Sequence, residues 1–237
     1  MPHGVETRLI EGITPMVRDL VAGYARSLAD LRYADVRVEV SEGKFAGAEN
    51  GEAKSSGDDY AFAFGVRVLA GSRMCAPGYF GRGLGAADLV NLARVLREGL
   101  EAAYRRAMAN AEMKAQVKGK FGALGDALGD TRLHPIAVRQ EIVPAVFEVD
   151  PRSVALDEMV RLTTDVSRRT AAADPAVSYN YTSTLTQLSR ELFASSEGAL
   201  IDQAIALTQG LCYVVANGDG NSQQIMDGQW VRKSAAK

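Results

Sequence analysis

Histidine is nearly absent from this chain of 237 residues, and cysteine is as rare; each occurs twice. That scarcity bounds the chemistry. A zinc site needs three or four converging ligands. His3 and His134 belong to no H-E-x-x-H pair, and Cys75 and Cys212 follow no metal-ligand spacing. The cysteines read as two small buried hydrophobes, and His134, just before Pro135, reads as a loop residue. No serine sits in G-x-S-x-G, and no lysine followed by Ser or Thr closes a Walker loop. No catalytic, cofactor-binding or metal-binding residue is therefore assigned. Long apolar runs are also missing. None approaches the roughly 18 residues of a membrane span, and "MPHGVETRLIEG" has no apolar core of a secretory signal. The expectation is a cytoplasmic protein with no membrane partner. Charge of one sign is lacking too: 27 basic residues stand against 29 acidic ones, net -2. Direct nucleic-acid binding is disfavoured, because it calls for a basic excess on one face.

What is present is pattern. Hydrophobic residues make up 47% of the chain, enough for one sizeable core or two small ones. Residues 14–32 read as a helix, with Thr14 as cap and Pro15 at the first helical position. In "YADVRVEV" Val36, Val38 and Val40 alternate with charges, the mark of a half-buried strand. Residues 43–59 read as turns and a weaker strand. "YAFAFGVRVLAG" follows as the strongest strand, with "SRMCAPGYF" as its short partner. Residues 86–118 form the longest helical run, and a third helix covers about 155–173. "AVSYNYTSTL" and "QLSRELFASSEG" read as separate strands, the second with a Ser-Glu-Gly turn. Two or three more strands follow, with an "NGDGN" hairpin. The fold class is α+β, with helices packed on a largely antiparallel sheet. The order of elements in 14–118 returns in 155–228 across a connection, 119–154. This predicts a single domain over 1–237 with an internal pseudo-repeat.

Three stretches invite a functional reading. "GYFGRGLG" places Gly81, Gly83 and Gly85 before a long helix, where a phosphate loop would lie. Its spacing is G-x-G-x-G, it follows a hairpin, and no strand follows within a βαβ distance, so the glycines read as a turn with Gly85 as helix cap. An anion at that helix start is the weaker alternative. Asp58 and Asp59 read as a solvated turn before a strong strand. "YNYTSTLTQ" reads as a solvent face, or as an edge where an extended peptide would add as a strand.

Together "YADVRVE", "GVRVLAGSRM", "AADLVNLAR", "ALDEMVRLTTDVSRRTAAADPAV" and "LFASSEGALIDQ" resemble the N-terminal half of the TldD/PmbA family, also called modulators of DNA gyrase. The resemblance spans about 14–228. It implies zinc-dependent peptidases of small or unfolded peptides. It also places the zinc motif, an H-E-x-x-x-H helix with a later cysteine, in a C-terminal half; this sequence has no such motif. The implied role is a non-catalytic, peptide-binding or assembly half. It would act with a zinc-bearing half or partner chain, in a homo- or hetero-oligomer, and would not be active alone. The alternative is a free-standing binding or scaffold protein of the same fold. The sequence departs from the family pattern at "MCAPGYF", at "GRGLG" and in the 119–152 connection.

Overall fold

A computed structural model describes residues 9–121 and 131–233. His3 and residues 122–130 of the connection lie outside the described residues. In chain order the elements are α1 (Leu9–Arg26), β1 (Leu31–Glu49), β2 (Glu52–Ala70), β3 (Ala76–Gly83), the single turn α2 (Ala86–Leu89) and α3 (Leu92–Lys120). Then come β4 (Gln140–Val143), a 3-10 turn at Pro151–Ser153, α4 (Leu156–Ala171), β5 (Val177–Ser195), β6 (Leu200–Gly218) and β7 (Asn221–Lys233). The strands make one seven-stranded sheet in the order β3-β2-β1-β5-β6-β4, with β7 also paired on β6. β2 with β3, and β6 with β7, are antiparallel. β1 meets β5 antiparallel as well: Ala34 donates to Ser196 Oγ, while Asn50 donates to the Asn180 carbonyl. The expected α+β fold with a largely antiparallel sheet is the one formed.

Two tight turns set the strand lengths. Asn50 and Gly51 have φ of 48° and 83°, and Asp219 and Gly220 have 50° and 76°. Positive φ at both central residues is what a type I′ hairpin requires, and its twist matches that of the strands. The Asp219-Gly220 turn was expected. The Asn50-Gly51 turn corrects the reading of 43–59: both flanking strands run for 19 residues and absorb the expected turns. Residues 177–195 are likewise one strand, not two, and the Ser-Glu-Gly turn follows it. The first helix starts earlier than predicted and carries Pro15 inside it, while Thr14 Oγ1 donates to the Ile10 carbonyl. The long helix is interrupted at Val90–Asn91.

The chain divides into two compact units. One takes the described residues up to Val40, with Phe62–Ile142 and Arg190–Gln203; the other takes Ser41–Ala61, Val143–Ser189 and Ala204 onward. The long strands give residues to both. In the first unit, Ile10, Ile13, Val17 and Val21 recur at helical spacing on α1, and all are buried. Val36, Val38 and Val40 of β1, Phe62, Phe64, Val66 and Val68 of β2, and Leu96 and Leu100 of α3 complete an apolar core. Each such side chain contributes about 1.5–3 kcal/mol when buried. The second unit is built differently. In this unit the buried residues of α4 are Met159, Thr163 and Ser167, and those of β5 are Asn180, Thr182, Thr186 and Leu188. Thr163 and Thr184 share a hydrogen bond of 2.7 Å, Ser167 donates to Asn180, and Thr186 reaches the Met159 sulfur at 3.8 Å. Gly51 N–H donates to Ser167 Oγ at 2.9 Å, which ties the first hairpin tip to α4.

Candidate functional site

The glycine-rich stretch is not a loop. Gly78 to Gly83 belong to β3, with Gly81 opposite Gly65 and Gly83 opposite Ala63 on β2. Gly78 and Gly81 answer to packing. A Cβ on Gly78 would stand 2.1 Å from the Ala103 carbonyl and 2.5 Å from the Ala107 amide, so the strand touches the backbone of α3 directly. Gly85 does cap the following turn, as expected. Its N–H, which an anion would need, is held by the Asp88 carboxylate at 2.9 Å. Arg82 grips the same carboxylate at 2.8 and 3.1 Å. The Arg82 hydrogen bonds, then the Gly85 amide, hold Asp88 down to about 2.

β3 lies at one edge of the sheet, and α3 closes that edge. Arg106 donates to the Tyr79 carbonyl at 2.6 Å, Asn110 to Pro77 at 3.0 Å and Lys114 to Cys75 at 3.2 Å. The donors recur every four residues along one helix face, and the acceptors are alternate residues of the strand end, so the two periods match. Pro77 has no N–H to offer at that edge.

The opposite face of this part of the sheet carries a groove of about 320 Å³. Phe64 of β2 also touches it; the rest of its lining is Asp35, Arg37 and Glu39 from β1, Ala63, Gly65 and Arg67 from β2, and Tyr79 from β3. These are the residues that alternate with the buried valines and phenylalanines, so period two alone places them here. Asp35 is buried, and Arg67 pairs with it through Nε at 2.9 Å and Nη2 at 2.8 Å. That hydrogen bond raises the Arg67 pKa, while burial and then the Asp35 charge push the Tyr33 phenol up. Arg37 lies 3.5 Å from Glu191 and 5.4 Å from the centre of the Phe193 ring. The Tyr79 ring spreads over Gly65 and Gly81, its hydroxyl within 3.1 Å of where either Cβ would be, and the residue stays exposed. The groove presents both signs of charge and a phenol, and it holds no pair of nucleophile and base.

Sequence reasoning did not single out this groove. Its signal was the charged half of "YADVRVEV", read only as a solvated strand face. The residues that were weighed do not converge. Cys75 is buried, with its sulfur 3.8 Å from the Gly71 carbonyl, and Cys212 lies beside Thr170 and Thr182 in the second unit. His134 is exposed, and Asp58 and Asp59 are exposed within β2 rather than in a turn. "YNYTSTLTQ" is no edge, since β5 runs between β1 and β6. Among the described residues no His, Cys, Asp and Glu side chains gather to hold a metal, and these residues do not fit a zinc ion. Among them, too, no helix is long and apolar enough to cross a membrane.

Residues 34–111 match the family model of the PmbA/TldA metallopeptidase domain 1. Three solved structures share the fold. A candidate modulator of a DNA gyrase from Thermotoga maritima has 13% identity and a TM-score of 0.56, over 92% of this chain and 43% of that one. TldE from Thermococcus kodakarensis has 11% identity and a TM-score of 0.54, over 93% and 42%. A candidate modulator of DNA gyrase from Bacteroides thetaiotaomicron has 8% identity and a TM-score of 0.56, over 95% and 45%. The chain resembles the N-terminal half of TldD/PmbA proteins. It spans less than half the length of each of these structures. No curated protein matches it by sequence.

Proposed function

We propose that this chain is the non-catalytic, peptide-holding part of a TldD/PmbA-type metallopeptidase. It acts in the cytoplasm with a zinc-bearing half or partner chain on small or unfolded peptides. One observation carries this reading. Every side chain that lines the groove from β1, β2 and β3 lies within 34–111, the stretch that matches the metallopeptidase domain. Charges of both signs and an exposed phenol suit the mixed side chains of an extended peptide, and nothing in the groove demands one particular sequence. Binding of fluorescein-labelled casein peptides to the purified chain, followed by anisotropy, tests it. Tyr79→Ala and Arg37→Ala should each weaken binding about tenfold, equal to about 1.4 kcal/mol. Arg67 is left intact in these variants, because its loss would strand the buried Asp35. Absence of binding, or binding indifferent to both substitutions, overturns the groove assignment. Stoichiometric zinc with peptide hydrolysis by the isolated chain overturns the non-catalytic assignment.

A further inference from the structure

β7 offers a second surface, on residues separate from the groove. Among the described residues it pairs with β6 alone, and Asn221–Val231 are exposed throughout. Four of those residues are large and apolar: Ile225 at 66%, Met226 at 69%, Trp230 at 66% and Val231 at 47%. A long, regular, apolar edge is a template for another strand. The direction of its backbone groups is fixed by the turn. A two-residue hairpin makes Gly218 and Asn221 a hydrogen-bonded pair. Asn217 N–H, one residue away, turns to the Ala176 carbonyl on the other side at 2.8 Å. Ile225, Asp227 and Gln229 therefore bond to β6, while Gln224, Met226, Gly228 and Trp230 aim their amides and carbonyls outward.

We propose that β7 pairs antiparallel with β7 of a second copy of this chain, about a two-fold axis at Gly228. The sequence of the strand selects that partner and that register. With Gly228 opposite Gly228, Met226 faces Trp230, so the outward-aimed residues exchange hydrogen bonds with one another. In the same register Ile225 faces Val231, and Asp227 faces the neutral Gln229. All four exposed apolar residues are then matched in cross-strand pairs, the unit of sheet stabilisation. Neighbouring registers lose this. An axis one residue earlier sets Asp227 against itself, and an axis two residues earlier sets Ile225 against Asp227. A foreign peptide gives no reason for the strand to be symmetric about one of its own residues. A second copy does, because a two-fold interface is self-complementary.

Sedimentation equilibrium of the chain over a wide concentration range tests the proposal. Trp230 is the sole tryptophan and reports on the interface directly. The expected result is a mass that rises from one chain to two, with Trp230 emission moving to the blue over the same range. Met226→Lys places a charge opposite Trp230, and Ile225→Lys places one opposite Val231, each at an exposed position. Each should weaken association about tenfold or more, a loss of about 1.4 kcal/mol for each tenfold. Circular dichroism of each variant confirms that it is folded. A chain that stays monomeric throughout, with water-exposed tryptophan emission, overturns the proposal. So does a dimer that both substitutions leave intact. Labelled casein peptide captured by a monomer, and lost in both variants, would overturn it and assign the edge to a peptide.

Discussion

The strands β3 and β7 are both edges, and they are finished in opposite ways. β3 is covered along its free side by Arg106, Asn110 and Lys114 of α3, contains Pro77, and is fastened at its end by Arg82 and Asp88. β7 has exposed side chains from Asn221 to Val231 and no described element beyond it. Natural sheets protect free edges with charges, proline or covering elements. One edge here has all three, and the other, between Asn221 and Val231, has four large apolar residues and the single charge of Asp227. The contrast separates two uses of a sheet margin: β3 is closed to further strands, and β7 is open to one.

Closing the β3 edge demands that the helix lie on the strand, and Gly78 makes that approach. The largest effect is therefore expected from Gly78→Val. Its side chain would occupy the space of the Ala103 carbonyl and the Ala107 amide, both backbone atoms that cannot swing away. Overpacking of this kind costs about 3 kcal/mol or more. Chemical denaturation should show the loss as a lower midpoint. A midpoint within error of the parent chain would mean that β3 and α3 are not in backbone contact.

The next effect tests the cover itself. Each hydrogen bond from Arg106, Asn110 and Lys114 is worth about 0.5–1.5 kcal/mol. Single alanine substitutions should lower stability by about that much. The triple alanine variant should lose about 1.5–4.5 kcal/mol if the bonds are independent. It should also gain something the single variants lack, a concentration-dependent aggregate, because the edge carbonyls of Pro77 and Tyr79 would lose the side chains that cover them. Light scattering during storage reads this out. A triple variant that is destabilised yet stays dispersed would show that the helix only props the strand.

On the open edge the expectation reverses. Met226→Lys changes an exposed residue, so unfolding of the monomer at low concentration should move by no more than about 0.5 kcal/mol. Association, in contrast, should fall at least tenfold, as argued above. A substitution that moves stability but not association would place Met226 inside the fold of the monomer instead.

Much of this contrast was hidden in the sequence, for physical reasons. Period two placed Val36, Val38 and Val40 in the core, and the "NGDGN" turn set the β6–β7 register, because both signals are local. Gly81 and Gly83 read as a turn although they continue β3, and nothing local shows that at Gly78 a helix more than twenty residues later requires a bare strand surface. "YNYTSTLTQ" was read as solvent-facing because hydroxyl residues normally are. Here Thr184 meets Thr163 and Asn180 meets Ser167, so a polar strand is buried against a polar helix. Alternation shows that a strand has two faces but not what covers each one. The same limit hid the groove: Asp35, Arg37 and Arg67 look like ordinary surface charges until β2 and β1 are placed side by side.

The smallest effect belongs to the clip at the end of β3. In the folded chain the Arg82 hydrogen bonds and the Gly85 amide hold Asp88 down to about 2, against about 3.9 for an unperturbed aspartate. A depressed carboxylate contributes stability that is fully present above its unfolded pKa and is lost as pH falls through the folded one. The contribution should therefore be complete above about pH 4 and vanish near pH 2. Asp88→Asn should be less stable than the parent chain at neutral pH, with the difference shrinking to nothing at the acid end. Because the pair is exposed, added salt should reduce that difference throughout. Carboxyl carbon NMR gives the direct check: Asp88 should titrate near 2 in the parent chain, and Arg82→Ala should move it most of the way back, since the Gly85 amide alone remains. A parent-chain midpoint near 3.9 would mean that Asp88 does not fasten the closed edge, which would then rest on α3 alone.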